Sequence, residues 1–456
     1  MRKIVTIFKQ LFKGSRQVSH FKTTHTPIII KREDHCISRN HISQAAIKVL
    51  YRLHNSGFAA YLVGGGVRDL LLGHDPKDFD VVTDAHPEQI QRLFKNSFII
   101  GRRFRLVHVR FGNEIIEVAT FRGSTEDAKG RVQTQRGLLL RDNVYGTLED
   151  DVWRRDFTIN ALYYNIADFS VVDYTGGMKD LDQKSIRVIG DPTDRFHEDP
   201  ARMLRALRFA AKLDFVIEPR TAGPIKKHRE LLSHVPPARL FDKILKVFHS
   251  GKSFATFQLF HEYNIVSVLF PQMAAALKQP EPLSFLMTAL KNTDERVNQD
   301  KTINSAFLLA VLLWRPLLAQ KEVYKRDEDT NEYQAFNMAM ADVVQEQLKI
   351  ISIPRRFTTV MREIWSLQYH LENARVRRVH KVFHHPRFRA GYDFFGLRYQ
   401  SGEVVLKELY EWWTEFQEGD EEARSKLISH RFSKAKPRKR KKKRPSSEKS
   451  LPGTGQ

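Results

Sequence analysis

An α+β head followed by an all-helical body is the fold class this sequence predicts. Three observations predict it. Between about Ala59 and Gly190, short apolar strand-like runs alternate with stretches of helical spacing and glycine turns. From Pro200 onward the pattern is mainly helical, broken by prolines such as Pro236-Pro237, Pro271, Pro316, Pro354 and Pro386. At 456 residues and 41% hydrophobic content, the chain is long and apolar enough for two or three domains with real cores.

The elements follow in order. Residues 1–36 read as a basic, poorly ordered arm, and the basic, mildly amphipathic Met1–Lys13 has neither the apolar core nor the cleavage site of a secretory signal. Ile42, Ala46, Leu50 and Leu53 recur at helical spacing, and Gly57 ends that helix. Ala59–Val63 reads as a strand, Gly64-Gly65-Gly66 as a turn, and Val67–Leu72 as a helix ending at Gly73. Phe79–Val82 is the next strand, and Pro87 opens another helix through Phe94. Leu106–Phe111 and Ile115–Phe121 are strands joined by a Gly112-Asn113 hairpin turn, with a further hairpin expected around Gly176-Gly177. The longest apolar run, Ala306 to Trp314, is far short of the roughly 20 residues that span a bilayer and reads as a buried core helix. Lys434 to Arg444 holds nine basic residues in eleven and cannot bury a core.

Charge narrows the partners. A net charge of +22 implies a polyanionic partner or an anionic surface. The single cysteine, Cys36, excludes an internal disulfide framework and fits a reducing, cytoplasmic setting.

The chemistry concentrates around Asp78 and Asp80. At i, i+2 in a strand, their side chains share one face about 6.5–7 Å apart. Carboxylates that close repel unless a cation lies between them, and a hard divalent cation prefers oxygen ligands. The Gly64–Gly66 turn just upstream offers backbone N–H groups to phosphate. Together these point to phosphoryl or nucleotidyl transfer. A two-metal site needs a further acidic or polar group. Glu117 supplies one if its strand lies beside the aspartate strand. Asp156 is the other candidate, with a pairing to neighbouring arginines as its structural reading. Arg68, Arg102, Arg103, Arg105, Arg122, Arg154 and Arg155 surround these acids, as a triphosphate requires. In Glu198-Asp199-Pro200-Ala-Arg202, the Asp199 and Arg202 side chains are read either as a salt-bridged helix face or as a rigid pair for a base edge. Gly251-Lys252-Ser253 lacks the glycine-rich approach of a phosphate-binding loop. Arg375–Arg389, with Phe383 and Phe388, is read equally as a base-stacking RNA surface or as core aromatics flanked by solvated arginines.

Five segments in order carry a resemblance. They are Leu62–Gly73, Asp78–Asp80, Glu117–Arg122, Arg154–Asn160 and Glu198–Phe209. They resemble the bacterial poly(A) polymerase and tRNA CCA-adding enzyme group, the class II branch of the polymerase β-like nucleotidyltransferases. The resemblance implies a nucleotidyltransferase head on an all-α body, acting without a template. It implies two Mg²⁺ ions on Asp78 and Asp80, with ATP as substrate and an RNA 3′-hydroxyl attacking its α-phosphate. Gly65, Gly66 and Arg68 would hold the triphosphate. Arg122, Arg154, Arg155 and Asn160 would surround the ribose and phosphates, Asp156 would be an active-site carboxylate, and Asp199 with Arg202 would read the base. The expected organisation is an arm over 1–36, a catalytic head over 37–190, a neck with the base-recognition helix over 191–265, an RNA-binding body over 266–430 and a basic tail over 431–456.

Within the group, Ile99–Val109 resembles the form seen in poly(A) polymerases, and the basic tail suits varied RNA ends. Polyadenylation is the expected activity. CCA addition to tRNA is the alternative, and an RNA-binding protein with a decayed site is the reading from another class. A monomer is expected, with RNA-decay proteins and a membrane surface at the N-terminal arm as further partners.

Overall fold

The computed structural model describes residues 26–101, 105–123, 131–133, 139–142, 144–277 and 280–433. Met1–Lys13, Arg102, Arg103 and the basic run Lys434–Arg444 lie outside them. The chain divides into two compact units at Val235/Pro236, within the segment expected as the neck.

The first unit is built on an eight-stranded sheet. Its strands are β1 (Ile28–Ile30), β2 (Ala60–Val63), β3 (Asp80–Thr83), β4 (Ser97–Ile100), β5 (Leu106–Phe111), β6 (Glu114–Thr120), β9 (Leu162–Asn165) and β10 (Val171–Asp173). Two short pairs stand apart: β7 (Arg131–Gln133) with β8 (Leu139–Asp142), and β11 (Ser185–Ile186) with β12 (Val216–Ile217). The main order is β1-β10-β9-β2-β3-β6-β5-β4. Neighbours run antiparallel except β3 and β6, which are parallel.

Helix Gln44–Asn55 forms because Ser43 caps its start, accepting from the Ala46 N–H at 3.1 Å, and because one face is apolar. Val49, Leu50 and Leu53 are fully buried, each contributing roughly 1.5–3 kcal/mol relative to exposure. The helix packs on β2 and β3, the two strands that flank the glycine turn. The Gly112-Asn113 hairpin is present, with Gly112 at φ +60° and Phe111 facing Glu114.

Three expectations change. The arm over 1–36 is not wholly loose: three consecutive β-branched residues, Ile28–Ile30, add a strand to the sheet edge against Val171–Asp173. Gly176-Gly177 opens a helix, Gly177–Asp182, rather than turning a hairpin. The buried Asp173 carboxylate dictates this by accepting from the N–H groups of Thr175, Gly177 and Met178 at 2.9–3.0 Å. The aspartate strand begins at Asp80, so Asp78 precedes it, but alternation survives because Phe79 between the two acids is buried.

The second unit is helical. Ser305–Tyr324 contains the predicted apolar run, buried along Ala306 and Leu308–Trp314. Helices Pro280–Asn298, Glu332–Leu348 and Arg355–Glu372 pack on it. Trp365 and Trp413 are fully buried, each donating its indole N–H to a backbone carbonyl at 3.1 Å, of Ala310 and Leu371 respectively. Among the described residues, no helix is long and apolar enough to cross a membrane.

Candidate active site

The parallel pairing of β3 and β6 sets the site. Its register places Asp80 directly beside Glu117, on strands about 4.8 Å apart. Register partners in a parallel pair share a face, so the two carboxylates project together. Asp78 lies one pleat before Asp80. The Asp80 carboxyl is pushed up to about 6, first by burial, then by the Glu117 and Asp78 charges, with Arg155 opposing. His108, opposite Glu117 on β5, holds it at 3.2 Å. Among the described residues, no three His, Cys, Asp or Glu side chains close on one point as a ready metal cage. The donor set nonetheless fits a hard cation: Asp80 and Glu117 are register partners, Asp78 lies two residues before Asp80, and the repulsion among the three acids is only partly opposed by Arg155.

The glycine turn brings backbone to these acids. Gly64 has φ +76°, a conformation L side chains rarely adopt, and a Cβ on it would stand 3.6 Å from Asp80 Oδ2 and 3.8 Å from Arg155 Nη1. A Cβ at Gly66 would lie 3.3 Å from the Asp78 carbonyl. Gly65 begins the helix Gly65–Leu71.

Two hydrogen-bonded networks hold the surrounding side chains. The first is centred on Asp151, which sequence reasoning missed. Its carboxylate is 1% exposed and takes the Arg155 Nη2 at 2.8 Å, the Tyr163 hydroxyl at 2.7 Å and the Arg122 Nε at 3.3 Å. Burial alone would raise Asp151; Arg155, Arg122 and the Tyr163 hydroxyl outweigh it and hold the carboxyl down to about 2. Arg155 also lies 5.0 Å over the Tyr163 ring. The i, i+4 spacing of Asp151 and Arg155 on one helical turn was the available signal.

The second network joins three distant segments. Arg68 is 2% exposed; it donates to Asn160 Oδ1 at 2.7 Å and through Nε to Asp69 at 2.8 Å. Asn160 in turn donates to Asp156 at 3.4 Å, and Asp156 takes the Arg205 Nε at 2.6 Å. Arg68, Arg205 and Arg208 all lie over the Phe209 ring, at 5.2, 5.5 and 4.5 Å. Burial first, then the Arg205 and Arg68 charges, lowers Arg208 to about 10. Asp156 therefore pairs with an arginine, as its structural reading anticipated, but with one 49 residues away rather than with Arg154 or Arg155. Glu117, not Asp156, shares the Asp80 position.

Asp199 and Arg202, the residues expected to read the base, lie in a further set of contacts. Arg202 Nη1 pairs with Glu198 at 2.9 Å and donates to the Arg195 carbonyl at 2.8 Å, while Asp199 accepts from the Ala201 N–H at 3.2 Å. Glu198 ends the helix Pro192–Glu198, Asp199 breaks it in an extended conformation, and Arg202 lies in the first turn of Ala201–Leu213, so the pair bridges two successive helices. Arg195 donates to the carbonyls of Arg154 and Arg155 at 3.0 and 2.6 Å, tying this segment to the arginine pair. The Arg154 side chain reaches the Gly123 carbonyl at 2.7 Å.

Comparison with known proteins places this geometry. Residues 60–187 match the family model for the poly A polymerase head domain. Residues 214–277 match the model described as a probable RNA and SrmB-binding site of polymerase A, and 328–447 the polymerase A arginine-rich C-terminus. Poly(A) polymerase I of Salmonella typhi is 49% identical over 397 residues, 85% of each chain. A CCA-adding enzyme of Bacillus subtilis is 42% identical, but over 44% of this chain and 50% of its own. Among solved structures, a Thermotoga maritima CCA-adding enzyme complexed with tRNA shares the fold, with TM-score 0.55 and 19% identity, covering 89% of this chain and all of that one. The motifs, the head that carries them and the extent of the likeness agree: this chain belongs to the bacterial poly(A) polymerase family.

Proposed function

We propose that this chain adds AMP from ATP to RNA 3′ ends without a template, releasing pyrophosphate. The observation that carries the reading is Asp80 in register with Glu117 beside the Gly64–Gly66 turn. Asp78 and Asp80, with Glu117, are assigned to two Mg²⁺ ions. Such ions, when bound, lower the pKa of an attacking hydroxyl and offset charge on a leaving pyrophosphate. The glycine backbone leaves room for a triphosphate close to these acids. Arg122, Arg154 and Arg155 are assigned to its phosphates, already aimed by Asp151 and the Gly123 carbonyl. Arg68, Asn160 and Asp156 act together, fixing the helix Ala201–Leu213 against the glycine helix. Asp199 and Arg202 present the base with a fixed donor and acceptor set, and Glu198 orients Arg202.

The test is purified protein with an unstructured RNA primer and each nucleotide alone. Long products with ATP alone are expected. Addition that needs CTP and stops after CCA on tRNA would replace this reading by the alternative. No product with any nucleotide, from protein that still binds RNA, would favour the decayed-site reading.

A further inference from the structure

The helical unit carries a basic groove outside the residues assigned to chemistry. Helices Glu332–Leu348 and Arg355–Glu372 both pack on Ser305–Tyr324, and between them, with the short helix Val379–Phe383, lies a groove of about 730 Å³. Tyr333 and Asn337 line one wall; Arg355, Arg362 and His370 line the other; Arg378 and Lys381 come from the third side.

Its charge is unbalanced. Arg355, Arg362, Arg378 and Lys381 are exposed, and among the described residues none of the four makes an ion pair. One carboxylate lines the groove, Glu363, and it is held by Arg387 at 3.2 Å. Elsewhere in this unit several cations are matched, Arg398 with Glu372 and Glu403, Arg389 with Asp393 and Lys407 with Glu411. His370 is lowered by burial and then by Arg378, His385 and Lys381, so the cations reinforce one another there. Ring faces border the charges: Tyr333 is 42% exposed, 5.1 Å from Tyr369 and 6.2 Å from His370. By contrast Phe383 and Phe388 pack into the core with Trp413 and Phe416, so the stacking surface first read in Arg375–Arg389 is not made by them.

We propose that this groove binds a short segment of single-stranded RNA, phosphates on Arg355, Arg362, Arg378 and Lys381, a base against Tyr333. Cations spread along the helix Arg355–Glu372 and the adjoining Arg378–Lys381 segment suit successive phosphates better than one small anion, and the exposed Tyr333 ring across the groove suits a base of any identity. The proposal rests on the RNA-substrate reading above.

The test compares the full chain with Arg362→Ala/Arg378→Ala/Lys381→Ala, with Tyr333→Ala and with Tyr333→Phe. All these side chains are exposed, and unchanged thermal melting confirms the fold. The triple variant should weaken binding of a fluorescent oligoadenylate roughly tenfold and lower the slope of log affinity against log salt by about 2, at roughly 0.7 per phosphate contact. KM for RNA should rise, with kcat at saturating RNA and KM for ATP unchanged. Tyr333→Ala should weaken binding at all salts, and Tyr333→Phe should restore it. An unchanged affinity and salt slope would overturn the proposal. So would displacement of the oligoadenylate by inorganic phosphate or ATP at concentrations far below those expected of simple ionic competition. AMP incorporation is scored separately: its absence in the wild type would overturn the polymerase reading and leave the binding comparison standing.

Discussion

The arginines at the head's site and those of the body's groove solve opposite problems. Arg68 and Arg155 are buried or nearly so, each locked by a carboxylate and a neutral partner. Arg362, Arg378 and Lys381 stand in solvent with no ion pair among the described residues. A transition state of one fixed shape rewards donors whose orientation is settled in advance. A substrate of varied sequence rewards cations free to meet phosphates wherever they fall. The difference predicts that mutations in the head act on stability and chemistry, and mutations in the groove act on affinity.

The largest effect should come from Asp151→Asn. Removing one partner of a buried ion pair costs about 3–5 kcal/mol, because the remaining guanidinium stays desolvated. Chemical unfolding at neutral pH should show that loss. The pH dependence has a definite sign. The folded carboxyl sits at about 2, below the ordinary 3.8, so its stabilisation is complete above about pH 4 and fades as pH falls toward 2. The gap between wild type and variant should narrow over that window. A gap independent of pH would mean that packing, not charge, is what Asp151 supplies.

Asp80→Ala should come next, lowering kcat by about 10³-fold, the scale of several kcal/mol of lost transition-state stabilisation. RNA affinity should be unchanged, since the groove is untouched. Chelation of divalent cations should abolish activity equally. Survival of full activity in either case would remove the metal from the mechanism.

How much of this was legible in the sequence depends on distance along the chain. Asp80 and Glu117 were readable because period-two alternation assigns faces, and a hairpin turn fixed the strand carrying Glu117. The apolar run of the body helix was readable for the same local reason. Asp151 was obscured by its neighbours: Glu149, Asp150 and Asp151 together read as ordinary acids in a first helical turn. Asp156 with Arg205 and Arg68 with Asn160 are tertiary pairs that no spacing encodes. Glu198 was overlooked for Asp199 one residue on, because its pairing with Arg202 spans the break between two helices, which spacing along one helix does not encode. The groove was illegible because three separate helices build it.

That last pair gives a smaller effect. Arg202→Ala should lower the preference for ATP over CTP by about 10- to 100-fold, and Glu198→Gln should lower it less, since it loosens the orienting partner and leaves the guanidinium. The measurement is kcat/KM for each nucleotide on one RNA primer. If Glu198→Gln changes selectivity as much as Arg202→Ala, Glu198 touches the nucleotide itself.

The smallest effect has the opposite sign to the first and separates the two aspartates most cleanly. Asp80 sits at about 6 in the folded chain, above its ordinary 3.8, through burial and then the Glu117 and Asp78 charges. A raised carboxyl means the folded state holds the proton more tightly than the unfolded state does. Ionised Asp80 therefore weakens the fold above about pH 6, and that cost disappears as pH falls from about 6 to about 4. Asp80→Asn should melt slightly above wild type at neutral pH and level with it in acid. Asp80 is crowded by protein on its sheet side yet its surface is open to solvent, so water screens most of the repulsion and the shift is small. A divalent cation inverts the comparison: binding only the folded state, it should raise the melting temperature of wild type and leave Asp80→Asn nearly unmoved. Equal shifts in both proteins would place the cation elsewhere and leave Asp80 an unrelieved strain in the sheet.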